Sequence, residues 1–123
     1  MMKNVLWVGL GGGIGSISRY LFQRWIYQLY PGHFPWGTFG VNFLGCFLIG
    51  IFWGMSFRSF DENEHWKLFL MTGLCGGFTT FSAFTLEGIG LLKEQRLLLF
   101  SSYVLASVII GLLATWLGTL LTK

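Results

Sequence analysis

Four long apolar stretches separated by short breaks account for nearly the whole chain, at about residues 4–28, 37–57, 66–91 and 97–121. Each reaches the roughly 20 residues that an α-helix needs to cross a bilayer core of about 30 Å. The breaks carry turn chemistry or charge. Pro31-Gly32-His33-Phe34-Pro35 has helix breakers at both ends. Residues 55–64 hold Arg58, Asp61, Glu62 and Glu64, and Lys93-Glu94-Gln95-Arg96 is a turn with charges of both signs. The pattern predicts an all-α membrane protein, one domain over residues 1–123, with four transmembrane helices. The start Met1-Met2-Lys3-Asn4 raises the question of a signal peptide. The apolar region after it is too long and offers no small-residue cleavage site before Arg19, so it reads as a first span that is retained.

Composition supports the membrane assignment. Hydrophobic residues make up 54% and charged residues only 11%, too few to clothe a soluble domain of this length. Aromatics reach 19%, which suits a lipid-facing body with interfacial anchors. The net charge of +3 is scattered rather than gathered on a stripe, so no nucleic-acid-binding surface is expected. Cys46 and Cys75 lie in separate spans, form neither a CxxC pair nor a zinc site, and read as small buried residues.

Charge placement bears on orientation. In a four-span chain one membrane side carries Lys3, Arg58, Lys67 and Lys123, and the other Arg19, Arg24, Lys93 and Arg96. That balance leaves the positive-inside rule nothing to act on. Insertion in both orientations is therefore expected, giving an antiparallel, dual-topology homodimer that supplies the inverted arrangement larger transporters build from internal repeats.

Within the spans, Gly9-xxx-Gly13 and Gly11-xxx-Gly15 are small-xxx-small pairs suited to close helix packing. Arg24 reads as an interfacial snorkelling residue. Arg19 lies deeper and either snorkels as well or sits at the mouth of an anion vestibule. Asn42 in the second span is either interhelical glue or an amide donor aimed at a pore. Tyr103, Ser107 and Gly111 recur at i, i+4, i+8, one polar and small face on an otherwise aliphatic helix.

The stretch at residues 73–87 departs most from a lipid-facing helix. Gly76-Gly77 precedes Thr79-Thr80, and Phe78, Phe81 and Phe84 fall at threes, with Ser82 and Glu87 nearby. Adjacent glycines and β-branched threonines disfavour a continuous helix, so the third helix is expected to be broken near its middle. Irregular backbone at membrane depth is tolerated only where protein or water covers it. Its freed carbonyls suit a cation and its freed amides an anion. Phenyl rings have positive edges, which beside hydroxyls and an amide offer an anion weak contacts on several sides. Glu87 is the one carboxylate clearly inside a span, a position that is functional by default.

These residues, in this order, identify a resemblance. Gly12-Gly13-x-Gly15-x-x-x-Arg19-Tyr20, Gly37-Thr38-x-x-Val41-Asn42-x-x-Gly45 and Gly73-x-Cys75-Gly76-Gly77-Phe78-Thr79-Thr80-Phe81-Ser82-x-Phe84 resemble the Fluc (CrcB-type) fluoride channels over essentially the whole chain. The resemblance implies a fluoride-selective channel in the bacterial inner membrane. It exports fluoride passively and lowers its toxicity, with two pores per antiparallel homodimer. It implies a fluoride pathway through Asn42, Thr80, Phe81, Ser82, Phe84, Tyr103 and Ser107, with Glu87 as a polar-track acid. It also implies a structural sodium ion at the dimer centre, held by the backbone carbonyls of Gly76 and Thr79. Ala83 and Gly111 depart from the family pattern by lacking a hydroxyl. The alternative is a small dual-topology, proton-coupled exporter of fluoride or an organic cation, with Glu87 as its acid. An enzyme is not expected, because no nucleophile–base pair, metal cluster or phosphate loop is visible.

Overall fold

A computed structural model describes residues 1–56 and 65–122. Arg58, Asp61, Glu62 and Glu64 of the polar connection, and Lys123, lie outside the described residues. Everything described is helix or short turn. Helix α1 covers Met2–Leu29 and α2 covers Trp36–Ser56. The next helix, α3, begins as α-helix over His65–Lys67, widens to π-type hydrogen bonding over Leu68–Cys75, and returns to α-helix over Gly76–Phe78. Thr79 and Thr80 are extended, and α4 then runs over Phe81–Lys93. After a turn closed by Gln95 with φ 60°, α5 covers Leu97–Leu121.

Among the described residues, three segments are long and apolar enough to cross a membrane: Trp36–Ser56, His65–Lys93 and Leu97–Leu121. Helix α1, with 28 residues, is long enough at about 42 Å, but its glycines, serines, arginines and glutamines dilute its apolar character. By length and composition, then, three of the four expected spans stand on their own.

Helices α1 and α3 form one close pair, and α2 and α5 the other. Without water to drive them together, helices in lipid associate through van der Waals packing, which small residues make possible. A methyl group on Gly11 would collide with the Phe69 carbonyl, and one on Gly15 with the Leu74 carbonyl, so α3 lies directly on the α1 backbone. Gly9 and Gly13 face open space. Among the described residues, only the second of the two small-xxx-small pairs in α1 is therefore a contact within the chain. Gly50 and Gly118 similarly seat α2 against α5, where Thr115 Oγ1 also donates to the Cys46 carbonyl at 3.0 Å. The Tyr103-Ser107-Gly111 face of α5 turns toward α2: Tyr103 is fully buried, and a side chain on Gly111 would meet Cys46 Sγ at 3.6 Å.

Candidate functional site

The two extended residues between α3 and α4 are held by a side chain from another helix. Asn42 Nδ2 donates to the Thr80 carbonyl at 3.0 Å, and the Thr80 N–H donates to Asn42 Oδ1 at 2.8 Å. The amide thus pairs with the backbone as a neighbouring strand would, satisfying both Thr80 groups where the helical ladder stops. Thr80 is also the N-cap of α4, its Oγ1 accepting from Ala83 N at 3.2 Å. On the α3 side, Thr79 N and Oγ1 both donate to the Cys75 carbonyl, at 3.0 and 2.9 Å. Arg19 Nε donates to the Gly77 carbonyl at 3.1 Å. A cation at a helix C-terminus opposes the partial negative charge of its last carbonyls.

Around this junction lies an open cavity of about 470 Å³, lined by Asn42, Gly76, Thr79, Thr80, Phe81, Phe84 and Ser107 among others. Seven of the residues expected on an ion site therefore surround one space. Ser82 is exposed at its edge, its Oγ 3.4 Å from Thr80 Oγ1. Phe81 is 75% exposed, a bare ring on the rim of this cavity.

Tyr103 and Glu87 are placed elsewhere. Ring centroids run from Phe81 to Phe84 at 5.8 Å, from Phe84 to Tyr103 at 5.1 Å, and from Tyr103 to Phe34 at 5.4 Å. Phe34 lines a second cavity, also of about 470 Å³, together with Gln23, Arg24, His33, Thr38 and Glu87. A line of four aromatic rings thus leads from one cavity to the other. Glu87 sits where that line ends, with Thr38 Oγ1 donating to Oε1 at 2.6 Å and Tyr103 OH donating to Oε2 at 3.2 Å. The arginine on this second cavity is Arg24, while Arg19 is turned to the helix junction.

Two polar side chains here escaped the reading of the sequence as site residues. Thr38 was visible only as part of the Gly37-Thr38 motif. Gln23, an amide in an apolar span just as Asn42 is, carried the same signal and donates to Thr38 Oγ1 at 3.0 Å.

Among the described residues no group of three or more His, Cys, Asp or Glu side chains could hold a metal ion. Backbone carbonyls at the junction offer a different donor set. The Thr80 N–H is taken by Asn42 rather than by the carbonyl four residues back, and Gly76 is exposed with open space beside it. Exposed carbonyls at a helix C-terminus fit a hard cation.

Comparison with known proteins finds relatives along nearly the whole chain. Residues 6–119 match the family described as "CrcB-like protein, Camphor Resistance (CrcB)". The chain is 44% identical over 122 residues to a protein of Flavobacterium psychrophilum named "Fluoride-specific ion channel FluC", covering 99% of this chain and 98% of that one. A protein of the same name from Phocaeicola vulgatus is 48% identical over 117 residues, covering 95% and 96%. Another from Azobacteroides pseudotrichonymphae is 42% identical over 123 residues, covering 100% and 98%. A family match and relatives of this length and identity leave no large part of the chain unaccounted for, and this multi-pass membrane protein belongs to the CrcB family.

Proposed function

We propose that the chain is a fluoride-selective channel that lets fluoride leave the bacterial cytoplasm passively through the inner membrane. The observation that carries the reading is the Asn42–Thr80 clamp, set against Phe81, Phe84 and Ser107 around one cavity. A small, hard anion is costly to dehydrate, so it needs close donors, yet it must also leave. One N–H of Asn42 is committed to Thr80, and the amide carries a second. That N–H, the Ser107 hydroxyl and the positive edges of Phe81 and Phe84 supply weak contacts without a full positive charge. The aromatic line through Tyr103 gives the ion its route between the cavities, with Thr38 and Tyr103 as hydroxyl donors at the far end.

In this reading α1 also crosses the membrane, as the first of four spans, and the junction between α3 and α4 is a break in the third. Two copies assemble antiparallel, inserted in opposite orientations, with a pore on each side. The bare Phe81 ring and the cavity open beside Gly76 and Thr79 suit a face covered by a second copy. The carbonyls of Gly76 and Thr79 would hold a structural sodium ion at the centre of that pair. When bound, the ion supplies positive charge between carbonyl-rich helix ends that otherwise repel.

Fluoride efflux from liposomes containing the purified protein tests the reading, with chloride as control and no proton gradient. Fluoride flux driven by voltage alone is the expected result. Flux that requires a pH gradient would favour proton-coupled exchange through Glu87 instead, and absence of fluoride flux under either condition would refute the proposal.

A further inference from the structure

Gln23 takes no part in the path described above, yet the geometry points to it as a positioning residue that fixes the direction of hydrogen bonding around Glu87. Its place follows from helix packing. A Cβ on Gly37 would stand 3.4 Å from Gln23 Cα, Cβ and O, an ordinary contact distance, so the start of α2 lies against α1 at this residue. That approach brings Gln23 Nε2 to 3.0 Å from Thr38 Oγ1. Thr38 is 2% exposed, so its hydroxyl finds its partners within the protein.

The donor inventory then leaves one arrangement. A side-chain amide nitrogen only donates, and a threonine hydroxyl has one proton to give and lone pairs to accept with. With Gln23 donating into Thr38 Oγ1, the single Thr38 proton is free for Glu87 Oε1 at 2.6 Å. Tyr103 OH faces the other carboxylate oxygen at 3.2 Å and donates as well. The reverse orientation of the Gln23 amide would need a proton on Glu87 to complete the chain. Without Gln23, the Thr38 hydroxyl loses the donor that occupies its lone pair and is released to rotate, so its proton is no longer held on Glu87.

This assignment rests on the channel reading for its consequence. An anion that reaches Thr38 and Tyr103 competes with Glu87 for the same two protons. Passage therefore depends on both hydroxyls presenting protons rather than lone pairs, and a residue outside the aromatic line sets that polarity. Gln23 acts through Thr38 and need not touch the ion.

Two measurements test the inference, one of them independent of transport. Infrared difference spectra between the protein and its Glu87→Gln variant isolate the carboxylate band of Glu87. Repeating the pair in a Gln23→Met background, which keeps side-chain length but removes the donor, is expected to shift that band. Gln23→Glu, isosteric and likewise without the amide donor, serves if the Met variant does not fold. In fluoride efflux, Gln23→Met is expected to slow transport about two- to tenfold, the range one net hydrogen bond corresponds to. The same change in a Thr38→Val background is expected to add nothing. An unmoved carboxylate band, or an equal fold-loss with and without the Thr38 hydroxyl, overturns the inference. If the protein carries no fluoride at all, the band still decides the role of Gln23, so the two failures are told apart.

Discussion

Replacing Asn42 by Asp is the most revealing single change at the helix junction. The side chain keeps its shape and its Oδ1, so the bond from Thr80 N–H at 2.8 Å survives. The donor to the Thr80 carbonyl at 3.0 Å becomes an oxygen, and two acceptors then face each other. Losing that bond costs about 0.5–1.5 kcal/mol, and leaving the carbonyl unpaired costs about 1–3 kcal/mol. Neither removes the fold. The larger effect is on the ion: a fixed negative charge about 4 Å from a passing anion opposes it by about 4 kcal/mol at an effective dielectric constant of 20. Even half of that slows passage by more than about tenfold. Asn42→Asp is therefore expected to cut fluoride efflux from liposomes by about 100-fold or more, while the assembly elutes normally in detergent. Asn42→Leu supplies the comparison, since it removes both bonds to Thr80 without adding charge. It is expected to lower thermal stability by about 1–3 kcal/mol and to slow efflux less than Asp does. Efflux at the normal rate in Asn42→Asp, or an equal loss in both variants, would refute the placement of this amide beside the ion.

Other expectations follow from the same geometry. Phe81→Ile should reduce efflux sharply while the assembly persists, because it keeps apolar bulk but removes the ring edge; an unchanged rate would take Phe81 out of the path. Exhaustive replacement of sodium by a large organic cation should weaken both subunit association and efflux, and unaltered values for both would count against an ion on the Gly76 and Thr79 carbonyls. Gly15→Leu drives a side chain into the α3 backbone at Leu74 and Phe78 and should destabilise the protein by about 1–3 kcal/mol or more. Gly9→Ala meets nothing within 4 Å and should be neutral or gain up to about 1 kcal/mol from helix propensity. Thermal unfolding in detergent separates the two, and similar behaviour would undo the assignment of the α1 contact face.

The sequence by itself determined what depends on local composition and spacing. Length and hydropathy mark the helices, because a bilayer admits few structures other than helices that satisfy their own backbone. The run from Gly76 to Ser82 marks the junction, since adjacent glycines and threonines weaken a helix wherever they stand. Its likeness to a known family was legible too, because ordered motifs survive in the chain itself. Only the tertiary structure decided which neighbour each polar group meets. Nothing in the spacing says that Asn42 pairs with Thr80, 38 residues away, or that Arg19 reaches the Gly77 carbonyl 58 residues on. The two glycine pairs of α1 look alike in sequence, yet only the Gly11 and Gly15 face packs against α3, because the rotation of a helix is fixed by what it touches. Gln23 and Thr38 are ordinary polar residues until the packing of α1 on α2 sets them in line with Glu87 and Tyr103. Hydrogen-bond direction is a property of partners rather than of residues, so it emerges only once the helices are packed.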